Sequence, residues 1–576
     1  MCVNIFIMKS TYTTRIRLLS LFIFLFALLI IGKLYMLQIV NNEMYTNKAD
    51  RQYSTTGTGV FSRGTIFFQN KDGSLVSAAT LKSGFIITIN PQILKDPETV
   101  YEKINALLPL DRDVFLAKAS KKNDPYEEIA KHVDEAVGKQ ISALSIPGLK
   151  VYKDKWRFYP GGNVAAHTIG FLGFKGNEYA GRYGLESQYE SVLARTDTAY
   201  VNFFAQIFSN IKQTTAGDSI KQEGDVVTTI EPTVQSFFQE VLASTTAKWN
   251  ADYVGGIIIN PTTGEIYAMD TYPTFDPNNT QVEKNIQVFS NRLVEDTYEM
   301  GSIIKPLTIA AGIDKGLITA HSTYDDTGSM MVNGKKISNF DGKARGVVDM
   351  QQVLSQSLNL GVAHVVRLLG NTQFTDYMYR FGLNEKTGID LPNEGRNQVK
   401  NLEAPRDLEH VTASFGQGIA LTPMSTVRAL SAIANGGLLI HPHVVKKINY
   451  KIGLVDEPAI GVGDRVIKKE TADEVSRMMV YSVDHVLSNG AIKLENYSVA
   501  AKTGTAQIAK SGGGGYYDDR FLHSFVGFFP AYNPKFLIFF FAYNPKGAKY
   551  GSETLTMPFS DTVRFLINYY EVPPDR

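Results

Sequence analysis

Hydrophobic and polar positions divide the chain into three regimes. The first is a continuous apolar run: Leu18–Gly32 carries no charge, Lys33 interrupts it, and Leu34–Val40 continues mostly apolar. A helix crossing a bilayer needs about 20 residues, and a lysine near one end can extend its ammonium to the interface. Leu18–Val40 is therefore predicted to be a membrane-spanning helix. Lys9, Arg15 and Arg17 precede it and Glu43 follows, which places the N-terminus in the cytosol and the bulk of the chain outside. No small-x-small cleavage site follows the run, so an uncleaved anchor is expected rather than a signal peptide.

The second regime, Asn41 to about Ala216, is mixed and rich in turns. A charged helical stretch is predicted from Pro97 through Gly148, and the polar patch Thr214–Asp218 marks a boundary. The third begins with two predicted strands, Gly255–Asn260 and Glu265–Met269, joined by the turn Pro261–Gly264. Helical periodicity dominates from about Met300 to Asn435, and strands return at Tyr497–Ala501, Ser524–Phe529 and Phe536–Tyr543. Strands at both ends with helices between predict an α+β fold, an antiparallel sheet assembled from distant segments and flanked by helices. Phe536–Phe541, apolar without alternation, is expected at its centre. The predicted organisation is a cytoplasmic tail (1–17), an anchor (18–40), a mixed, turn-rich domain (41–216) and a second large domain (217–576).

Composition narrows the function. With 58 Lys+Arg against 57 Asp+Glu, the 576-residue chain has a net charge of +1, not the basic excess of a nucleic-acid binder. Hydrophobic residues make up 44% of it, enough for sizeable cores. Cys2 is the sole cysteine, so an internal disulfide is excluded and the remaining chain offers no Cys-based metal site. The nine histidines form no His-Glu-x-x-His pattern, and no metal site is expected.

Three short patterns occur in one order: Ser302-Ile303-Ile304-Lys305, Ser357-Leu358-Asn359 and Lys502-Thr503-Gly504-Thr505. S-x-x-K, a Ser-x-Asn element and K-T-G together mark β-lactamases and penicillin-binding proteins. Singly they are weak: Ser209–Lys212 is also S-x-x-K, and Lys386–Gly388 is also K-T-G. Context separates them. Ser302 opens an apolar helix with Pro306 in its first turn, which places Lys305 over the same face as a base for a serine nucleophile. Lys502 follows Tyr497–Ala501, a strand of small and β-branched residues, and Gly504 on that strand is expected to let a substrate backbone approach. Lys386 follows a helix end and reads as a surface lysine, and Gly512–Gly515 reads as a hairpin loop close enough to rim the cleft, not a phosphate cradle.

Taken together, these residues resemble the class B penicillin-binding proteins, membrane-anchored monofunctional transpeptidases of the bacterial cell wall. The resemblance runs along nearly the whole chain. Arg63-Gly64-Thr65, Tyr159-Pro160-Gly161 with Ala166-His167, and Gly184-Leu185-Glu186 are similar to the family's pedestal, or dimerisation-type, domain. Phe415-Gly416-Gln417-Gly418 and Ala434-Asn435-Gly436-Gly437 are similar to its transpeptidase domain. The link from Gly170 to Gly184 resembles the division and sporulation branches. Ile303-Ile304 and Leu358 depart from the usual motif interiors without removing a reacting group.

The resemblance implies a serine penicillin-recognising fold acting on D-Ala–D-Ala stem peptides and inhibited by β-lactams, with no cofactor. It implies acylation of Ser302, Lys305 as base, proton transfer to the leaving amine by Ser357, and Asn359 holding Lys305 and the peptide amide. Lys502, Thr503 and Thr505 would bind the terminal carboxylate, and the N–H groups of Ser302 and Thr505 would form the oxyanion hole. A polytopic membrane glycosyltransferase and other division or elongation proteins are the implied partners, at the bacterial cytoplasmic membrane. The alternatives are a β-lactamase or D,D-carboxypeptidase on the same fold, for which no positioned water-activating base is evident, and a non-catalytic scaffold.

Overall fold

The computed structural model describes residues 19–30, 33, 62–175, 178–195, 223–451, 453–458, 463–510 and 512–576. Within the expected anchor, residues 19–30 and 33 are helical with exposed side chains, and the rest of Leu18–Val40 lies outside the described residues. Among the described residues no helix is long and apolar enough to cross a membrane. The tail at 1–17, the boundary at 216/217 and Ser209–Lys212 also lie outside them.

The chain forms two compact units. β1 (Ile66–Gln69) pairs antiparallel with the first residues of β2 (Leu75–Ile89), whose later residues belong to the smaller unit, residues 83–156. There α1 (Pro97–Asn105) and α2 (Arg112–Ala119) start at Asp96 and Asp111, whose carboxylates accept the backbone N–H of Thr99 and Val114. The helical stretch expected from Pro97 through Gly148 is interrupted by a strand, β3 (Glu127–Val133), before α3 (Glu135–Ala143). Asn123-Asp124-Pro125 ends the helical path, and Ile129 and Val133 favour an extended chain that pairs with β2. Ile87, Ile89, Ile104, Phe115 and Ile141 form this unit's core. β4 (Leu149–Phe158) pairs with β2.

The larger unit takes in residues 62–82 and 157–195 with everything described from 223 onward. β5 (Gly224–Thr228) pairs parallel with β1. Arg63 and Arg157 both donate to the buried Glu186 carboxylate, at 2.7 and 2.6 Å, and Arg63 also reaches Glu190 at 2.7 Å. These ion pairs tie three distant segments together.

α4 (Pro232–Trp249) precedes β6 (Tyr253–Ile259) and β7 (Ile266–Tyr272), and α5 (Lys305–Asp314), α6 (Met350–Ser355) and α7 (Asn359–Leu369) follow. β8 (Val445–Tyr450) pairs with β5. β9 (Ala500–Ala509), β10 (Tyr516–Phe529) and β11 (Phe536–Tyr543) complete an antiparallel five-stranded sheet of order β9-β10-β11-β6-β7, and α8 (Gly551–Tyr570) closes the chain. The expected α+β arrangement is present, with β11 in the middle. Ile538 and Phe540 share one core with Phe238 of α4 and Phe559 of α8. Leu537, Phe539 and Phe541 share the other with Met300, Ile303 and Leu307. Both faces of β11 are covered, so apolar residues occupy both parities of the strand.

Candidate active site

Ser302 lies in a one-turn 3₁₀ helix, Gly301–Ile304, that runs straight into α5. Its position follows from close backbone packing. Gly301 has φ 65°, and a Cβ there would stand 2.7 Å from the Thr505 carbonyl oxygen on β9. Behind it Gly416, φ 77°, accepts the Gly301 N–H at 3.1 Å, and a Cβ on Gly416 would meet the Gly301 oxygen at 2.2 Å. Two glycines in the left-handed region thus press the start of α5 between β9 and the Phe415–Gly418 turn.

Lys305, one turn on, is fully buried. Its Nζ donates to the Ser357 carbonyl at 2.5 Å and to Ser357 Oγ at 3.1 Å. Lys502 Nζ reaches the same Oγ at 3.0 Å and the Thr503 carbonyl at 2.9 Å. Two lysines therefore converge on one hydroxyl, and no described ion pair joins either to a carboxylate. Burial pushes the Lys305 pKa well below the usual lysine range, and the Lys502 charge adds to the shift. Burial lowers Lys502 to about 7.

Ser357 sits between α6 and α7, as expected, with φ 57°. Asn359 departs from its expected contact. Its Nδ2 donates to the Ser338 carbonyl at 2.8 Å, and no described hydrogen bond joins it to Lys305, whose Nζ is engaged by Ser357.

Gly504 also departs. A Cβ there would stand 2.2 Å from Ser524 Oγ, 2.8 Å from the Met300 carbonyl oxygen and 3.2 Å from Ile303 Cγ2. The close approach that needs glycine is made by the chain's own Ser524, Met300 and Ile303. Thr505 Oγ1 accepts the Gly551 N–H at 3.0 Å. Ser302, Ser357, Asn359, Lys502, Thr503, Gly504 and Thr505 all line one cleft of about 680 Å³, with Lys305 buried and bonded to its wall at Ser357.

The competing motif falls elsewhere. Thr387 N–H and Oγ1 donate to Glu394 at 2.6 and 2.7 Å, so Lys386–Gly388 is a loop tied by a carboxylate, and none of it lines the cleft. Gly512–Gly515, all at positive φ, lie in the hairpin connection between β9 and β10 and are not among the cleft-lining residues. Sequence reasoning assigned no place in the cleft to Ser338, Phe340, Arg345 or Tyr550, which also line it. They belong to short hairpins and a helix start whose local pattern carries no chemical motif.

Residues 254–562, more than half of the chain, match the penicillin binding protein transpeptidase domain, and residues 61–206 match the penicillin-binding protein dimerisation domain. The chain is 29% identical over 561 residues to stage V sporulation protein D of Bacillus subtilis, covering 95% of this chain and 85% of that one. It is 27% identical over 572 residues to the peptidoglycan D,D-transpeptidase FtsI of Buchnera aphidicola, covering 96% and 94%. Penicillin Binding Protein 2X from Streptococcus thermophilus has the same fold, with a TM-score of 0.71 at 20% identity over 89% of this chain and 81% of that one. Both domain matches, in this order along a chain that aligns almost throughout with these relatives, show that it belongs to the class B penicillin-binding proteins.

Proposed function

We propose that this protein is a peptidoglycan D,D-transpeptidase that cross-links stem peptides through an acyl-enzyme on Ser302 and is inhibited by β-lactams. The observation that carries the reading is the convergence of Lys305 and Lys502 on Ser357 Oγ in the cleft that holds Ser302. A neutral Lys305 accepts the Ser302 proton as Oγ bonds to the penultimate D-Ala carbonyl carbon. The Lys305–Ser357–Lys502 line then delivers a proton to the departing D-Ala amine. The close approach of Gly301 to Thr505 sets the two backbone segments side by side, so the Ser302 and Thr505 N–H groups serve as oxyanion donors, each worth about 3 kcal/mol. Lys502, Thr503 and Thr505 take the terminal carboxylate.

Hydrolysis is the competing fate of the acyl-enzyme. None of the described cleft-lining residues carries a carboxylate to activate water, which favours an amine acceptor from a second stem peptide over β-lactamase or carboxypeptidase chemistry. The protein works at the cytoplasmic membrane, held by Leu18–Val40 with its N-terminus inside, beside a polytopic membrane glycosyltransferase and division or elongation proteins. The apolar run and the positive charges before it support this placement. The test supplies a D-Ala–D-Ala pentapeptide and an amine acceptor: D-Ala release with formation of the amide product is expected. Release of D-Ala with only the free tetrapeptide would contradict transpeptidation.

A further inference from the structure

Residues 326–345 hold the turn that carries Ser357. α7 starts directly after that turn, and its N-cap, Leu358, has no side chain able to accept a backbone N–H. The acceptor comes from another element. Asn339 Oδ1 receives the Leu360 N–H at 3.3 Å, a cap supplied from 21 residues away. Asn339 is 3% exposed, and its Nδ2 donates to the Asp326 carboxylate oxygens at 3.0 and 2.8 Å and to the Lys343 carbonyl at 3.2 Å. On either side of it, the Ser338 carbonyl receives the Asn359 amide at 2.8 Å, and Arg345 Nε donates to Gln356 Oε1 at 3.2 Å. Gln356 and Asn359 bracket Ser357, whose φ of 57° is a conformation that a side-chain-bearing residue keeps only when its surroundings enforce it.

We propose that Asn339 is a positioning residue for acylation: by capping α7 from outside, it holds the Ser357 turn in its left-handed conformation and so keeps Ser357 Oγ within reach of both lysines. The inference rests on the acyl-enzyme reading above. Asn339 makes none of the described hydrogen bonds to Ser302, Lys305 or Lys502 and is not among the cleft-lining residues, so its effect passes through Ser357. Without the cap, the first turn of α7 is free to fray and the turn to relax toward negative φ, which carries the hydroxyl away from the lysines.

The test compares Asn339→Ala with the exchange Asp326→Asn/Asn339→Asp. In the exchanged pair the new carboxylate accepts the Leu360 N–H and the new amide donates to it, so the cap and its link to residue 326 are restored with their chemistry swapped, and only the donation to the Lys343 carbonyl is lost. Stopped-flow labelling with a fluorescent penicillin separates the affinity that precedes acylation from the acylation rate constant, and thermal melts report the folded fraction. We expect Asn339→Ala to remain folded, with affinity within twofold and an acylation rate constant at least tenfold lower, and the exchanged pair to return to within threefold of wild type. Should Asn339→Ala not fold, Asn339→Ser, whose hydroxyl is too short to reach the Leu360 N–H, replaces it under the same criteria. A folded variant acylating at the wild-type rate, or a loss that merely follows the folded fraction, overturns the proposal. A wild-type protein that takes no penicillin overturns the acyl-enzyme reading itself.

Discussion

Replacing Gly504 by alanine separates two explanations for a glycine on the strand that edges the cleft. If glycine serves substrate approach, the free protein loses nothing on mutation and only labelling suffers. The geometry indicates the reverse. The added Cβ falls 2.2 Å from Ser524 Oγ and 2.8 Å from the Met300 carbonyl oxygen, where ordinary contact begins at 3.4 Å. Ser524 Oγ can rotate away only by giving up its 2.8 Å hydrogen bond to that same carbonyl, at about 1 kcal/mol. The carbonyl itself must retreat by roughly half an ångström, and overpacking of this kind costs about 1–3 kcal/mol. Since about 2–4 °C accompanies each kcal/mol in a large domain, the combined cost of about 2–4 kcal/mol lowers the ligand-free melting temperature by roughly 10 °C. Met300 lies two residues before Ser302, and a misplacement of about 1 Å can cost about 100-fold in rate, so half of that predicts acylation slower by roughly 10-fold. Thermal melts of the free protein and stopped-flow penicillin labelling measure the two effects. A wild-type melting temperature with impaired labelling restores the substrate-approach explanation, and wild-type behaviour in both refutes the packing argument.

Other perturbations test the remaining contacts. Lys502→Met removes a charge that disfavours protonated Lys305, so the Lys305 pKa rises and the acid limb of the acylation profile moves to higher pH; an unmoved limb, or one at lower pH, contradicts the coupling. Lys502 falls from 10.5 unfolded to about 7 folded, so its burial penalty is complete below about pH 7 and relieved as pH rises toward 10.5. Wild-type stability, measured by denaturant titration, should therefore gain on that of Lys502→Met across this window. Lys305→Ala should abolish labelling in a folded protein while Lys386→Ala labels normally; comparable losses would mean the wrong motif was chosen. Glu186→Ala strips a partner from two buried guanidinium groups, at about 3–5 kcal/mol, and no member of that network lines the cleft. A drop of roughly 10 °C in melting temperature with labelling preserved in the cold is expected, and lost labelling in a folded variant would contradict a purely structural role.

Much of the fold was legible because its signals are local. The unbroken apolar run at Phe536–Phe541 requires cover on both faces, and β11 has it. Pro306 is acceptable only near a helix start, and α5 starts at Lys305. Lys502 and Lys386 were separable because small and β-branched residues surround one, although the strand they signal starts at Ala500 and contains Lys502 rather than ending before it, while a helix end precedes the other. What escaped depends on segments meeting in space. β3 is a charged stretch held extended by pairing with β2, which overrides its helical reading. The neighbour that forbids a side chain at Gly504 lies about 200 residues upstream, at Met300. Asn359 finds the Ser338 carbonyl, and α7 finds its cap in Asn339, on hairpins that bear no sequence mark of the site.

The geometry of the cleft predicts that Ser302 is acylated beside the Lys305–Ser357–Lys502 cluster. Intact-mass analysis of the penicillin-treated protein, followed by peptide mapping of the adduct, tests it most directly. One penicillin per chain is predicted, on the peptide containing Ser302, and none on Ser302→Ala. An adduct mapped to another residue, or one that persists undiminished in Ser302→Ala, would contradict the account.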